Sequence, residues 1–150
     1  MSFVDAIRNT SEISECLRAG LQALGSNSTK IRVVSTNHLK GSVDIDSCVK
    51  CAYPTDHRWD YIFGYKDHVY YVEIHPGSTG EVKVIIKKLN WLKQWRNHSA
   101  TSLENIQYKS TYHWVSSGKI AITKNSKYSR ILAQNGISGP NSILRADKFL

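Results

Sequence analysis

The alternation of apolar and polar positions is clearest in the middle of the chain. β-Branched and aromatic residues dominate residues 60–65 and again residues 68–75, with two polar residues between the two runs. Extended runs joined by two polar residues are typical of an antiparallel β-hairpin. Because side chains alternate along a strand, Glu73 and His75 should share one face. Tyr70, Val72 and Ile74 should lie on the opposite face and point into the core.

A long amphipathic helix is predicted directly after this hairpin. Ser78 and Glu81 match the capping-box pattern, so the helix should begin there and continue to about Asn97. Its expected buried face consists of the apolar residues at three- and four-residue spacing, Val82, Ile85, Ile86, Leu89 and Leu92. Trp91 and Trp95 lie one turn apart on its flank, where large aromatic residues fit a core or an interface better than a base-stacking surface.

Weaker patterns predict the remaining elements. Apolar residues at helical spacing favour a helix within residues 2–24 that ends at Gly25, and a second, shorter helix over residues 126–135. A turn is expected over residues 37–41, and residues 98–110 are polar and loop-like, with a turn as an alternative over residues 103–106. Short β-branched or alternating runs predict strands over residues 30–35, 43–46 and 142–146. They also predict either two strands over residues 112–116 and 119–123 or one bent strand across both.

The composition agrees with a globular protein. The chain has 150 residues, of which 41% are hydrophobic and 10% aromatic, so we expect one domain over residues 1–150 and exclude a disordered protein. No apolar run is long enough to span a membrane, and no secretory leader is expected. Three cysteines are an odd number, which favours reduced thiols and a cytoplasmic location.

The net charge of +8 is distributed unevenly. Residues 1–81 contain 8 Lys and Arg against 10 Asp and Glu, whereas residues 82–150 contain 12 against 2. An acidic half followed by a basic half suits a polyanionic substrate, so nucleic acid is the expected partner. A basic surface that only aids solubility is the alternative.

One cysteine pair has the spacing of zinc ligands. Cys48 and Cys51 form a single CxxC, and His57 and His75 could complete a tetrahedral set. A structural zinc site normally needs a second pair at defined spacing, which this chain lacks. The sequence also contains no nucleophile elbow and no phosphate-binding glycine loop, so a serine or cysteine hydrolase fits poorly.

The acidic residues of the hairpin give the chain a resemblance to a known superfamily. Asp60 opens the first strand, twelve residues follow, and Glu73-Ile74-His75 ends the second strand just before the helix. With this motif and the order α-β-β-β-α-β-α, residues 10–135 resemble the PD-(D/E)xK nuclease superfamily. The resemblance implies a restriction-endonuclease-like α/β (α+β) fold, in which helices flank a mixed central sheet.

This resemblance also implies a metal site. Asp60 and Glu73 would bind a divalent ion, with the Ile74 carbonyl as a third oxygen ligand. These hard ligands suit Mg²⁺, with Mn²⁺ as an alternative. The implied activity is that of a metal-dependent endonuclease that hydrolyses phosphodiester bonds with an activated water.

His75 departs from the superfamily pattern, which has Lys at this position. The imidazole could accept a proton from water or ligate a softer metal such as Mn²⁺. Alternatively, the lysine could have moved to the following helix, where Lys83 and Lys87 are the best-placed candidates. A third interpretation is that the fold is retained and activity is lost. Glu12, at the border of the first helix, could supply a further carboxylate.

The helix after the hairpin also supplies the expected nucleic-acid contacts, which are Lys83, Lys87, Lys88, Lys93 and Arg96. DNA is expected in preference to RNA, and a homodimer with Trp91 or Trp95 at its interface would allow both strands to be cut. The alternative hypotheses are an inactive member of the same fold that binds nucleic acid or a protein partner through its basic half, and a partner-binding domain without nucleic-acid contact.

Each site residue also has a purely structural interpretation. Asp60 could cap a strand or pair with Arg58. Glu73 could be a solvated strand residue, and His75 could bond only a loop carbonyl. The sequence leaves these alternatives open.

Overall fold

A five-stranded mixed β-sheet is the centre of the fold in the computed structural model, which describes residues 1–150. The chain forms strands β1 (Ile31–Arg32), β2 (Leu39–Asp44), β3 (Tyr61–Tyr65), β4 (His68–Gly77), β5 (Lys109–Ile120), β6 (Ile137–Asn141) and β7 (Leu144–Arg145). Its helices are α1 (Phe3–Arg8), α2 (Ile45–Val49), α3 (Val82–Ser99), α4 (Thr101–Asn105) and α5 (Lys127–Gln134). The predicted α+β class with a mixed sheet flanked by helices is therefore confirmed.

The predicted hairpin is present and lies in the middle of the sheet. β3 and β4 pair antiparallel, and Tyr65 lies opposite His68 across the two-residue turn. The spatial order is β2-β3-β4-β5-β6, in which β2 and β3 are antiparallel and the β4–β5 and β5–β6 pairs are parallel. β4 is thus flanked on both edges, and its residues 68–73 are all buried.

Both faces of the sheet are covered. Val69 and Tyr71 point toward α1 and α3, whereas Tyr70 and Val72 point toward the short β1–β7 ladder and the C-terminal 3-10 turn at Ala146–Phe149. The predicted alternation of β4 is therefore confirmed, but the face that bears Glu73 is also buried. Gly64 allows α1 to lie close to the sheet, because a Cβ atom at this position would lie 2.7 Å from the Phe3 ring.

Helix α3 follows the prediction along its length but not at its start. Of its expected apolar face, all residues are buried except Ile86, which is half-buried. The prediction of a capping box is wrong, because the Ser78 side chain makes no cap hydrogen bond and Thr79–Glu81 form a 3-10 turn before the helix. The Glu81 carboxylate bonds His75 instead. A contact between Glu81 and β4 has therefore replaced the predicted capping contact within the helix.

The N-terminal prediction is wrong. α1 ends at Arg8, turns follow it, and residues Gln22–Lys30 are 3-10 turns that continue past Gly25. The intervening segment is bound to the rest of the chain by two backbone hydrogen bonds of 2.9 Å between Arg18 and Ser42, the latter in β2. Long-range pairing has overridden the local helical periodicity.

Several strand boundaries also differ from the prediction. β1 keeps only two of the residues expected over 30–35, and it lies outside the main sheet. β2 begins within the predicted turn, and residues 45–46 belong to α2. Residues 112–120 belong to the single strand β5, in agreement with the one-strand alternative. β7 lies within the strand expected over residues 142–146, and β6 was not predicted. α5 is confirmed, whereas α4 lies where a loop was expected.

The cysteines do not all remain thiols. Cys16 and Cys48 form a disulfide with their Cα atoms 6.3 Å apart, and Cys51 is free and exposed. The prediction of reduced thiols is therefore wrong for this pair. None of the helices is long and apolar enough to cross a membrane.

Candidate active site

Asp60 and Glu73 face each other at one end of the hairpin. Asp60 directly precedes β3, and continuing the register of Tyr61 with Val72 places it opposite Glu73. The carbonyl of Asp60 accepts hydrogen bonds from the first amides of α2, at 2.8 Å from Ile45 and 3.3 Å from Asp46. The strand pairing and the start of α2 thus fix the backbone of Asp60.

Reciprocal hydrogen bonds orient the two carboxylates. The Asp60 amide donates to Glu73 Oε2 over 2.6 Å, and the Ile74 amide donates to Asp60 Oδ2 over 3.0 Å. One oxygen of each carboxylate is therefore held by the backbone. The second oxygen of each, Oδ1 of Asp60 and Oε1 of Glu73, remains available to another partner.

That partner is Lys88 of α3. Its ammonium nitrogen lies 2.5 Å from Glu73 Oε1 and 3.2 Å from Asp60 Oδ1. The Glu73 side chain has no exposed surface and that of Lys88 only 12%, so this is a buried cluster of two carboxylates and one ammonium. The structural alternative of a solvated Glu73 is wrong, and Arg58 pairs with Asp46 rather than with Asp60.

The helix lysine expected near the carboxylates was misidentified. Lys83 and Lys87 are exposed on the outer side of α3, and neither contacts the carboxylates. Lys88 follows Ile85 by three residues and precedes Leu92 by four, so it lies at the border of the buried face. This spacing from apolar residues is the sequence signal that could have identified Lys88 as the lysine near the carboxylates.

Burial and mutual charge shift the proton affinities in this cluster. Burial raises the pKa of Glu73 well above its usual range, the neighbouring Asp60 charge raises it further, and Lys88 opposes both effects. Burial alone would lower the pKa of Lys88, but the two carboxylates outweigh it and raise that pKa. With both carboxylates ionised, the cluster has one excess negative charge, which favours binding of a proton or a cation.

His75 lies at the edge of this cluster and is held by Glu81. Its Nε2 is 2.8 Å from Glu81 Oε2, and its Nδ1 is 4.0 Å from Glu73 Oε1. The carbonyl of His75 accepts a hydrogen bond of 3.2 Å from the indole of Trp114 in β5. His75 therefore bonds a carboxylate and not merely a loop carbonyl, and sequence reasoning assigned Glu81 only to capping.

The ligand types in the cluster fit a hard divalent cation. Asp60 Oδ1 and Glu73 Oε1 converge on one cationic group, and Mg²⁺ uses one or two carboxylates while retaining several waters. Lys88 already bonds both oxygens, so an ion would have to share them or displace the ammonium. The structure contains no group of three or more His, Cys, Asp or Glu side chains that could hold a metal ion.

Glu12 lies elsewhere and is not on a helix. Its carboxylate accepts hydrogen bonds from the Tyr53 hydroxyl, at 2.8 and 2.9 Å, and from the Trp95 indole, at 3.0 Å. These donors belong to the loop after α2 and to α3. The expectation that Glu12 extends toward the metal ligands is therefore wrong.

The basic residues of α3 divide into three groups. Lys83, Lys87 and Lys93 are exposed and available to a polyanion, whereas Lys88 is committed to the carboxylates. Arg96 is buried, with its Nε 3.1 Å from Glu104 and its guanidinium over two tyrosine rings. Arg96 is therefore unavailable as a nucleic-acid contact, because α4 and the sheet cover it.

The structure also removes residues from two other predicted sites, the zinc site and the dimer interface. Cys48 is in the disulfide, so it cannot ligate zinc with Cys51, His57 and His75. Trp95 is only 3% exposed and Trp91 is half-buried, with both indole N–H groups bonded within the chain. Trp95 therefore belongs to the core rather than to a dimer interface.

The fold and site together define an α+β domain with a buried carboxylate–ammonium cluster at the end of its central hairpin. Comparison of the chain with protein-family models, with curated proteins and with solved structures finds no match.

Proposed function

We propose that this chain is a metal-dependent nuclease of the restriction-endonuclease-like type, with its active site at Asp60 and Glu73. The observation on which this proposal rests is the pair of buried carboxylates, each with one oxygen fixed by a backbone amide and the other directed at a cation. Buried titratable groups with shifted pKa values often mark functional sites. Three consecutive antiparallel strands, a helix and a parallel strand also support the resemblance in fold.

Each residue has a defined role in this proposal. Asp60, Glu73 and the Ile74 carbonyl would hold Mg²⁺ or Mn²⁺, which when bound polarises the phosphodiester and lowers the pKa of a water. Lys88 replaces the lysine of the superfamily motif, and its ammonium would donate to a phosphate oxygen and offset its charge. His75, oriented by Glu81, would accept a proton when its ring is neutral.

The exposed basic residues provide the expected route for the substrate. Lys83, Lys87 and Lys93 lie on the same helix as Lys88, so a bound backbone could contact them while one phosphate lies at the carboxylates. We propose DNA in preference to RNA as the substrate, and a homodimer for cutting both strands. We also propose a cytoplasmic location for the protein.

Digestion of plasmid DNA and of RNA tests the activity. Purified protein is assayed with Mg²⁺, with Mn²⁺ and with a chelator, beside the charge-neutralising variants Asp60→Asn and Glu73→Gln and the control Lys124→Met, which removes an exposed charge outside the proposed site. We expect metal-dependent cutting to fall at least 10²-fold in the first two variants and to remain within a few-fold in the control. Equal cutting by wild-type protein and both site variants would eliminate the proposed site.

A second candidate function is nucleic-acid binding without catalysis. The bonds from Lys88 to both carboxylates support it, because an ammonium in that position satisfies the pair without a metal. Absence of cutting under every condition, together with binding that weakens steeply with salt, would favour this alternative. Fluorescence anisotropy with labelled oligonucleotides at 50 and 200 mM salt measures that dependence.

A further inference from the structure

A small aromatic cavity lies beside the C-terminal half of α3, and no residue of the carboxylate cluster lines it. It has a volume of about 220 Å³ and is formed by one face of the helix and the loop that follows α2. Its lining consists of three aromatic rings with polar residues around them, namely Tyr53, Asp56, Trp91, Gln94, Trp95, His98 and Ser99. Drug-sized ligands usually need 300 Å³ or more, so this cavity suits a group the size of a side-chain terminus.

The three rings are arranged in two orientations. Trp91 and Trp95 are stacked, with centroids 5.6 Å apart and planes 9° from parallel. Tyr53 meets Trp91 edge to face, with centroids 5.5 Å apart and an interplanar angle of 83°. Aromatic rings that meet at right angles around a small space present their electron-rich faces to its contents.

Every polar donor on these rings is bonded to a carboxylate. Trp91 donates to Asp56 over 3.0 Å, while Trp95 and Tyr53 both donate to Glu12. Donation to an anion increases the electron density of the ring, and the polar edges of the rings are already satisfied. The Trp91–Trp95 stack covers one face of each indole, and Trp95 is only 3% exposed. What remains for a ligand is therefore the uncovered surface of Trp91 and Tyr53, next to the Asp56 carboxylate.

The charge of the cavity contrasts with that of the chain. The chain has a formal net charge of +8, but no Lys or Arg lines this cavity, whereas the Asp56 carboxylate does. Lys87 lines the adjoining groove, which shares Asp56, Trp91 and Gln94 with the cavity. A neutral apolar ligand would gain nothing from the carboxylates, and an anion would be repelled by them.

We propose that this cavity binds an alkylammonium group, with a quaternary or methylated amine as the preferred ligand. Such cations are held by the faces of aromatic rings, and a nearby carboxylate adds attraction without the need for a donor on the ligand. The group could come from a methylated lysine side chain or from a choline-like molecule. This inference is independent of the proposed nuclease site, because no residue of the cavity belongs to the carboxylate cluster.

The indole N–H signals of ¹⁵N-labelled protein provide the test. The chain has four tryptophans, and Trp59 and Trp114 are fully buried elsewhere, so they serve as internal controls. We expect choline to shift the Trp91 and Trp95 signals saturably and to leave the other two unchanged. Its neutral isostere, 3,3-dimethylbutan-1-ol, should bind about ten-fold more weakly.

Variants separate charge from shape. Asp56→Asn keeps an acceptor for the Trp91 indole but removes the charge, and Trp91→Leu removes a ring; each should weaken choline binding by about three-fold or more. Lys93→Gln, on an exposed part of the same helix, should bind as wild type does. A peptide that contains trimethyllysine is titrated beside choline, and tighter binding by one or the other identifies the source of the ammonium group.

Two results would overturn the inference. One is equal affinity for choline and its neutral isostere. The other is unchanged choline binding in Trp91→Leu, provided that its circular dichroism spectrum matches that of the wild type.

Discussion

Replacing Lys88 by methionine should destabilise the protein strongly. Lys88 provides the only ammonium bonded to Glu73, whose side chain is fully buried. Methionine has a similar length and fills the same space, so the change removes the charge with little loss of packing. Glu73 would then be a buried carboxylate with Asp60 beside it and no cation.

The expected cost follows from this burial. Removing one partner of a buried ion pair typically costs about 3–5 kcal/mol, because the remaining charge stays out of water without compensation. Glu73→Gln in the same background removes that uncompensated charge. The double variant should therefore be about 1–3 kcal/mol more stable than Lys88→Met alone.

The cost in Lys88→Met should depend on pH in a defined direction. Burial and the Asp60 charge raise the pKa of Glu73 above its unfolded value of about 4.3. The folded variant then binds more protons than the unfolded chain does, so its stability is greatest near or below pH 4.3 and declines as the pH rises toward the folded pKa. The decline should be about 1.4 kcal/mol per pH unit within that interval.

Urea denaturation at pH 5 and pH 8 measures these differences. Wild type, Lys88→Met, Glu73→Gln and the double variant are compared by circular dichroism, and Lys83→Met is the matched control on the exposed side of α3. The control should lie within about 0.5 kcal/mol of the wild type. A Lys88→Met variant as stable as this control at pH 8, or equally destabilised at both pH values, would refute the reasoning.

Two further predictions concern other parts of the fold. Thr111 bridges the buried His68 and His113, and burial lowers their pKa values to about 4 and about 3. The free energy of unfolding should therefore be highest above the unfolded pKa of about 6.5, and should fall by about 2 kcal/mol per histidine at pH 5. Urea denaturation should show this decrease, and the double variant His68→Gln/His113→Gln should lack it. The Cys16–Cys48 disulfide closes a loop with a sequence separation of 32 residues, so adding reductant should cost up to about 3–4 kcal/mol in wild type and in Cys51→Ser alike. An unchanged denaturation midpoint on reduction would contradict that expectation.

The amino-acid sequence by itself determined the hairpin, α3 and the opposition of Asp60 and Glu73. All three depend on short-range information: alternation along two strands, a two-residue link and apolar residues at helical spacing. With the hairpin turn at residues 66 and 67, the register follows by counting, and it places Asp60 opposite Glu73. The α+β class follows from the same elements.

The tertiary structure decided which side chains join these carboxylates. Lys88 lies at the border of the buried face of α3, and only the position of the sheet shows that it, rather than Lys83 or Lys87, contacts Glu73. Arg96 was expected on the surface, but α4 and the tyrosines of the sheet bury it. Local periodicity does not specify what packs against a helix, because that depends on residues distant in sequence.

Long-range contacts also reshaped the N-terminal segment. Its apolar spacing predicts a helix, yet the Cys16–Cys48 disulfide and the Arg18–Ser42 pairing bind it to α2 and β2 as turns. Helical periodicity is a local preference of less than about 1 kcal/mol per residue. A covalent bond and backbone pairing across more than twenty residues outweigh it, and neither can be read from the segment alone.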